Sequence, residues 1–243
     1  MNPLAPRRIA APCGILPALD LDTPEAILRL VEATTGIEGV VGYKLGLTMT
    51  LGLGLDAAVA ALREVTDLPV YYDHQKAGPD VGDMAGKFSE AVARAGADGV
   101  ILFPLAGPRA VDGFVGGALG RGLTALVGGD LPLADYNVSG GGYVADDALE
   151  RIFARAHACG ADHFIVPGRD PAKVRHHAEQ LRALMAEPRL FIPGIGALGG
   201  SIADSFAAAE GCRRYAIVGR AVYADPDPAE AARRLAGDAL ALA

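Results

Sequence analysis

The chain has 243 residues, of which 51% are hydrophobic and 21% charged, so it carries enough apolar material for a globular core. Its formal net charge of −7 argues against a surface that binds nucleic acid or an anionic membrane. The three cysteines are widely spaced without a CxxC pair, and neither a secretion signal nor an apolar run of about 18 residues occurs, so we expect free thiols in a cytoplasmic protein.

One pattern repeats along the chain: a short apolar run, a turn that contains Gly or Asp, and an amphipathic stretch rich in Ala. The apolar runs predict strands over residues 15–21, 40–45, 70–73, 99–103, 124–127, 163–166, 190–192 and 215–218. Helical patterns lie over residues 24–33, 56–64, 83–95, 145–158, 171–185, 201–209 and 228–242. Thr23 and Asp170 each precede a Pro and predict capped helix starts.

The predicted strands lack polar alternation, which indicates burial on both faces, as in a parallel sheet covered by helices. Eight such units in about 240 residues predict a closed (β/α)8 TIM barrel of the α/β class, with an open doubly wound sheet as the alternative. No linker divides the chain, so we expect a single domain over residues 1–243, with residues 1–12 as a flexible N-terminal segment. The Gly-rich stretch 138–142 predicts a loop insertion after the fifth strand.

Charged residues stand where several predicted strands end. The first strand ends at Asp20, the second ends at Lys44, and the third runs into the sequence DHQKAGPD at residues 73–80. In a barrel, the carboxyl ends of the strands and the loops after them form the active site. Alternating Lys and Asp side chains would hold one another ionised, and an ammonium group fixed beside carboxylates can stabilise a nascent carbanion and protonate it. We therefore predict a reactive centre on the third strand.

The last two strand ends fit a phosphate group. Glycines around residues 194–200 would expose backbone N–H groups ahead of the helix predicted at 201–209, whose N-terminus favours an anion. Barrels often bind phosphate in the loops after strands seven and eight, and an Arg there could add a charged contact. The predicted substrate-binding residues at these loops are Pro193, Gly194, Gly196, Gly199, Gly200, Gly219 and Arg220.

The motifs ALD at residues 18–20, GYKLG at 42–46 and DHQKAGPD at 73–80 together resemble orotidine 5′-monophosphate decarboxylase. The likeness is closest to an archaeal-type branch that carries a DHQK-type third strand. It extends to PGIG at 193–196 and VGR at 218–220, so that it spans almost the whole chain.

This resemblance implies a carboxy-lyase that converts orotidine 5′-monophosphate to UMP in pyrimidine metabolism without a metal or other cofactor. It implies a homodimer whose subunits share the active sites, with Lys44, Asp73 and Lys76 in one subunit and Asp80 reaching into the site of the other. These four residues are the predicted catalytic set.

Individual roles also follow from the resemblance. Lys76 would protonate C6 of the pyrimidine after CO2 leaves, while Asp73 and Asp80 would crowd the substrate carboxylate and anchor the lysines. Asp20 would contact the ribose. Arg220 and the backbone at residues 199–200 would hold the 5′-phosphate.

Three positions depart from the family pattern. The usual Asp-Ile-Pro reads DVG at residues 80–82, and Leu198 replaces a Gln that bridges the phosphate loop to the base. Leu131, Pro132 and Leu133 replace a Met-Thr/Ser-His segment whose hydroxyl reads the pyrimidine amide, and Pro offers neither a hydroxyl nor an N–H. Two alternatives therefore stay open: a same-barrel enzyme for another phosphorylated substrate (a modified nucleotide or a sugar phosphate), or a non-catalytic nucleotide-binding paralogue.

Overall fold

A computed structural model describes residues 6–77, 80–196 and 199–242. Eight parallel strands close into a barrel in the order β1-β2-β3-β4-β5-β6-β7-β8, so the predicted TIM barrel is confirmed and the open sheet is excluded. The strands are β1 Cys13–Leu19, β2 Tyr43–Leu45, β3 Val70–Asp73, β4 Gly99–Leu102, β5 Thr124–Val127, β6 His163–Ile165, β7 Arg189–Ile192 and β8 Arg213–Val218.

The helices of the described chain alternate with these strands and cover the barrel. They are α1 Pro24–Thr34, α2 Leu47–Leu53, α3 Leu55–Arg63, α4 Ala85–Arg94, α5 Pro108–Leu119, α6 Ala148–Ala158, α7 Pro171–Leu184, α8 Ile202–Ala208, α9 Arg220–Tyr223 and α10 Pro228–Leu240. The predicted caps are confirmed, since the side chains of Thr23 and Asp170 accept hydrogen bonds from the backbone N–H groups of Ala26 and Ala172. Within the described ranges, none of the helices combines the length and the hydropathy that a membrane crossing requires.

The sequence patterns did not predict α5, which contains three glycines that weaken helix propensity and interrupt its apolar stripe. Two of the glycines allow close packing instead. A Cβ atom at Gly113 would lie 2.9 Å from the carbonyl oxygen of Gly82, and one at Gly117 would lie 2.9 Å from Oγ of Ser89. Gly113 and Gly117 therefore serve the contact of α5 with α4 and the turn before it.

Two apolar layers make up the core. An inner cluster fills the barrel with side chains such as Leu16, Tyr71 and Phe191, while a larger outer cluster packs between the strands and the helices. Tyr72, the neighbour of Tyr71, belongs to the outer cluster, because successive residues of a strand face opposite sides. The loop insertion predicted after the fifth strand is also present, with a short 3-10 helix at Val138–Gly140.

Residues 6–12 cross the amino-terminal end of the barrel. Ile9 is buried in the inner cluster, the hydroxyl of Tyr215 donates to the carbonyl of Ala11 at 2.7 Å, and the N–H of Arg7 donates to Asp98 at 2.7 Å. These contacts close the base of the barrel, so the carboxyl ends of the strands form its open end. The assignment of one domain with a flexible segment at 1–12 stays a prediction.

Candidate active site

Four of the predicted side chains meet at the open end of the barrel. Asp20 directly follows β1, Lys44 lies in the middle of β2, and Asp73 ends β3. Lys76 lies in the 3-10 turn Gln75–Ala77, one turn beyond Asp73. Three neighbouring strands therefore deliver two carboxylates and two ammonium groups to one place, as the sequence predicted.

Lys44 is the buried centre of this group. Its Nζ atom lies 2.8 Å from Oδ2 of Asp73 and 2.9 Å from Oδ2 of Asp20, and it also donates to Oδ1 of Asp20 at 3.1 Å. The Lys44 side chain is 6% exposed and that of Asp73 is fully buried. Both carboxylates thus converge on a single ammonium group away from solvent.

Lys76 contacts the same carboxylates more loosely. Its Nζ atom lies 3.4 Å from Oδ2 of Asp20 and 3.8 Å from Oδ2 of Asp73, and 48% of its side chain is exposed. Because its contacts are longer and its side chain is accessible, Lys76 is the ammonium group that can turn toward a bound molecule. Lys44 has no comparable freedom.

The mutual contacts decide the charge states of the array. Burial alone would raise the pKa of the Asp20 carboxyl, but the Lys44 and Lys76 ammonium groups outweigh it and lower that pKa. Burial likewise would lower the pKa of Lys44, but Asp73 and Asp20 outweigh it and raise that pKa. Asp20 and Lys44 therefore stay ionised at neutral pH.

Among the described residues, one oxygen of the array has no donor. Oδ2 of Asp73 receives Lys44 and the side-chain amide of Gln75, the latter at 3.3 Å. Oδ1 of Asp73 is buried and, within the described residues, accepts no hydrogen bond. A buried carboxylate oxygen without a donor is uncommon in folded proteins and is costly.

Asp80 does not join this array within the described chain. Its side chain is exposed, and its Oδ1 accepts a hydrogen bond from the N–H of Val81 at 2.7 Å. Residues 78–79, which connect it to the third-strand turn, lie outside the described ranges. The structure thus brings together Asp20, Lys44, Asp73 and Lys76, with Asp80 apart from them on the surface.

His74 packs among aromatic rings beside the array. Its ring centroid lies 4.2 Å from that of Phe88, and its Nδ1 atom lies 3.3 Å from the hydroxyl of Tyr72. Burial lowers the pKa of His74 and outweighs the opposing effect of the neighbouring aspartates. The imidazole is therefore neutral at neutral pH and serves as a packing group.

The glycines after β7 form a tight loop, and most of their N–H groups are not free, contrary to the expectation from the sequence. The N–H groups of Gly196, Gly199 and Gly200 donate within the loop, to the carbonyls of Gly200, Gly196 and Gly194 at 2.8, 2.8 and 3.1 Å. Gly194, Gly196 and Gly199 have φ values of 92°, 77° and 93°, which favour glycine. The predicted anion donors of this loop are thus largely used by the loop itself. Leu198, the predicted replacement of a family Gln, lies outside the described residues.

The helix after this loop has a side-chain cap at its N-terminus. The Oγ atom of Ser201 accepts from the N–H of Asp204 at 3.0 Å and donates to the Asp204 carboxylate at 2.7 Å. Ser201 therefore satisfies one N–H group in the first turn of α8, and the Asp204 carboxylate lies at the positive end of this helix.

Among the described residues near the ends of β7 and β8, three groups could still donate hydrogen bonds to an anion. The N–H groups of Gly194 and Gly219 donate no backbone hydrogen bond within the described chain. Arg220, the first residue of α9, is exposed. These three groups lie at the ends of β7 and β8, where the sequence predicted a phosphate contact.

The loop after β5 holds a buried acid that the sequence patterns did not single out. Asp130 is 6% exposed, and its Oδ2 accepts from Nζ of Lys173 at 3.1 Å. It comes shortly after the apolar strand β5, just as Asp20 directly follows β1 and Asp73 ends β3. An acidic residue near a strand end is therefore the signal that could have identified it. Beyond it, the N–H of Leu133 donates to the carbonyl of Leu131 at 2.8 Å, and the Leu133 side chain is 57% exposed.

Among the described residues, no group of three or more His, Cys, Asp or Glu side chains is placed to hold a metal ion.

Comparison with known proteins agrees with this geometry. The family described as "Orotidine 5′-phosphate decarboxylase / HUMPS family" matches residues 15–235. Orotidine 5′-phosphate decarboxylase of Methanococcoides burtonii is 31% identical over 219 residues, which cover 90% of this chain and 93% of the relative. The enzyme of the same name from Methanosarcina barkeri is 29% identical over 228 residues, covering 93% and 94%.

Solved structures share the fold. The crystal structure of orotidine 5′-monophosphate decarboxylase from Methanocaldococcus jannaschii, complexed with the inhibitor BMP, superposes with a TM-score of 0.78. It is 20% identical and covers 93% of this chain and 97% of its own. The enzyme from Pyrococcus horikoshii superposes with a TM-score of 0.73 at 24% identity, covering 92% and 98%.

Proposed function

Because the chain belongs to the orotidine 5′-phosphate decarboxylase / HUMPS family, we propose that it decarboxylates orotidine 5′-monophosphate to UMP. The observation that carries this proposal is the array of Asp20, Lys44, Asp73 and Lys76 at the open end of the barrel. Such an array suits a reaction in which a negative charge develops on carbon and is then quenched by a proton.

Lys76 is the proposed proton donor. When the bond between C6 and the carboxylate breaks, the electron pair stays on C6 and CO2 leaves. The Lys76 ammonium group then delivers a proton to C6, which gives UMP, and the neutral amine recovers its proton from water. Its partial exposure and its contacts at 3.4 and 3.8 Å support this role over Lys44, which two carboxylates hold in place.

Asp73 is proposed to act on the substrate carboxylate. Its unsatisfied Oδ1 makes the site unfavourable for a second negative charge, and this repulsion disappears as neutral CO2 forms. Lys44 and Lys76 meanwhile stabilise the electron pair on C6. Interactions that improve only in the transition state raise kcat, so both effects would accelerate the reaction.

We propose that the 5′-phosphate lies between the loops after β7 and β8. Arg220 and the N–H groups of Gly194 and Gly219 would contact the phosphate oxygens. The internal hydrogen bonds at Gly196, Gly199 and Gly200 would keep the loop, which starts at Pro193, in shape. Binding energy from this remote group can orient the base over the array.

We also propose a homodimer in which Asp80 completes the site of the partner subunit. Asp80 is exposed, and so are the apolar side chains of Val81 (61%) and Met84 (39%) next to it. Exposed apolar residues around a charged side chain suit an interface with a charged centre. Asp20 is proposed to contact the ribose, because it is the more exposed carboxylate of the array at 28%.

Incubation of the purified protein with orotidine 5′-monophosphate, with and without EDTA, tests the function through the ultraviolet absorbance of the substrate. Loss of substrate that EDTA does not slow supports the proposal. Lys76→Ala should lower kcat by about 10²- to 10⁴-fold, the usual contribution of a positioned acid, whereas Arg175→Ala, which removes an exposed cation from α7, should not. Unchanged substrate despite tight binding of a 6-substituted uridine phosphate would instead indicate a nucleotide binder.

Mixing two inactive variants tests the shared site. If Asp80 acts in the partner's site, Lys76→Ala and Asp80→Ala chains that exchange subunits form hybrid dimers with one complete site each. Random exchange then restores about a quarter of the wild-type activity. If Asp80 acts within its own chain, mixing restores nothing.

A further inference from the structure

His74 follows the last residue of β3 and holds the end of that strand from two sides. Its backbone N–H donates to the carbonyl oxygen of Ile101 on β4 at 3.2 Å, which continues the pairing of the two strands by one residue. Its side chain points away from that of Asp73, because successive residues of an extended chain face opposite sides. The His74 ring therefore packs on the helix side of the strand, whereas Asp73 faces the array.

Neighbouring aromatic rings hold the His74 side chain in place. Its ring centroid lies 4.2 Å from that of Phe88 on α4 and 5.6 Å from that of Tyr72 on β3. Phe88 in turn contacts the buried ring of Phe114 on α5, with the two centroids 5.5 Å apart. The Nδ1 atom of His74 also lies 3.3 Å from the Tyr72 hydroxyl, within hydrogen-bond distance. The imidazole thus connects the end of β3 to two helices.

The turn that follows His74 carries Lys76. Residues Gln75–Ala77 form a 3-10 turn, and the Gln75 amide donates to Oδ2 of Asp73 at 3.3 Å. The Lys76 ammonium group lies 3.4 and 3.8 Å from two carboxylate oxygens, and 48% of its side chain is exposed. Because a lysine side chain has high rotamer entropy, such long contacts do not fix it by themselves. The reach of Nζ therefore depends on the backbone of the turn, which starts from His74.

We propose that His74 is a positioning residue for the proton transfer and holds the turn so that the Lys76 ammonium group meets C6 of the base. This inference rests on the proposed function, in which Lys76 is the proton donor. His74 acts through Lys76 and does not touch the substrate, because its ring packs on the helix side of β3. A misplacement of about 1 Å can lower a rate by about 10²-fold, so even a small displacement of the turn would lower kcat.

Steady-state decarboxylation of orotidine 5′-monophosphate and calorimetric binding of UMP together test this role. His74→Phe keeps a ring against Phe88 but loses the hydrogen bond to Tyr72, so it should lower kcat by about 3- to 10-fold. Tyr72→Phe removes the same hydrogen bond from the other side and should have a similar effect. The double variant should be no worse than either single variant, because one interaction is lost in all three. UMP should bind each variant within about 2-fold of the wild type, since the loss is confined to the transition state.

Rescue by a conservative variant and matched controls separate positioning from general stability. His74→Ala removes both the ring and the hydrogen bond and should lower kcat by about 10²-fold. His74→Asn, whose side-chain amide can still bond the Tyr72 hydroxyl, should retain more activity than His74→Ala. His176→Ala and Tyr143→Phe remove an exposed imidazole and an exposed hydroxyl elsewhere on the protein, and both should leave kcat unchanged.

Chemical labelling of Lys76 provides a measurement that does not depend on the reaction. Carboxylates close to an amine favour its charged form, which does not react with acetic anhydride. If the turn shifts in His74→Ala, Lys76 should leave its carboxylate partners and be acetylated about 10-fold faster relative to Lys87, an exposed lysine of α4. Mass spectrometry of the labelled protein measures both rates.

The two measurements separate the inference from the function on which it rests. If the wild type is active and His74→Ala changes neither kcat nor the labelling of Lys76, only the inference fails. Parallel losses of kcat, UMP affinity and melting temperature also overturn it, because they indicate a purely structural role. If the wild type does not decarboxylate the substrate, the proposed function fails, and faster labelling of Lys76 in His74→Ala still supports the placement of Lys76 by His74. Should the His74 variants fail to fold, an unchanged kcat in Tyr72→Phe overturns the inference.

Discussion

Replacing Lys44 with Met should destabilise the fold strongly, although Met nearly matches the length of the side chain and leaves little cavity. The Lys44 ammonium group is the centre of two contacts, at 2.8 Å to Asp73 and 2.9 Å to Asp20, and both its side chain and that of Asp73 are buried. Without it, two carboxylates face each other, and one of them keeps only Gln75 and the more distant Lys76. Removal of one partner from a buried ion pair typically costs about 3–5 kcal/mol of unfolding free energy.

Urea denaturation followed by circular dichroism measures this loss. The double variant Lys44→Met/Asp73→Asn should recover a large part of it, because the uncompensated buried charge is removed. Arg233→Ala provides a control, since it breaks an exposed ion pair with Glu230 and should change stability by about 1 kcal/mol or less. A Lys44→Met protein within 1 kcal/mol of the wild type, or a double variant no more stable than the single one, would refute the electrostatic account.

Three further changes have expected outcomes. The lowered pKa of Asp20 contributes stability that is present at neutral pH and is lost as pH falls below about 4. The raised pKa of Lys44 contributes stability that is lost as pH rises beyond about 10.4. Denaturation curves across pH should show both losses, and the alkaline loss should be smaller in Lys44→Met; it should not vanish, because burial also raises the pKa of tyrosines such as Tyr215. In α5, Gly113→Ala should lower the melting temperature, because the new Cβ would lie 2.9 Å from a backbone oxygen. Gly116→Ala meets open space and should stabilise the protein by about 0.5–1 kcal/mol. Equal effects of the two variants on the melting temperature would contradict the packing argument. Arg220→Ala should lower kcat/KM for orotidine 5′-monophosphate by about 10²-fold. The reaction of orotidine, which has no phosphate, should be unaffected. An equal loss of kcat/KM for both substrates would show that Arg220 does not act through the phosphate.

The barrel could be predicted from sequence because its signals are local. Each strand is a short apolar run, and capping residues such as Thr23 and Asp170 mark helix starts on their own. The helix α5 could not be predicted in this way. Its glycines weaken a local pattern, and the contacts of Gly113 and Gly117 that explain them involve residues of a different element.

The site was predictable in its composition but not in its geometry. Asp20, Lys44, Asp73 and Lys76 were predicted because they lie at or just after predicted strand ends. Only the distances from their Nζ atoms to Asp20 and the exposure of their side chains distinguish the buried Lys44 from the accessible Lys76. The pattern of glycines at 194–200 suggested free N–H groups, whereas the loop satisfies most of them itself. Asp130 carried the same strand-end signal, and its burial against Lys173 depends on a helix 43 residues further along the chain.

The shared ammonium group has a consequence for how this protein can diverge. Asp20 and Asp73 both bind the Lys44 ammonium group, so an exchange of Lys44 leaves the buried Asp73 carboxylate without its nearest cation. New chemistry at this end of the barrel would require several replacements at once, whereas the partly or fully exposed residues 131–133 can be exchanged one at a time. Lineages that start from this scaffold should therefore acquire new ligands far more readily than new reactions.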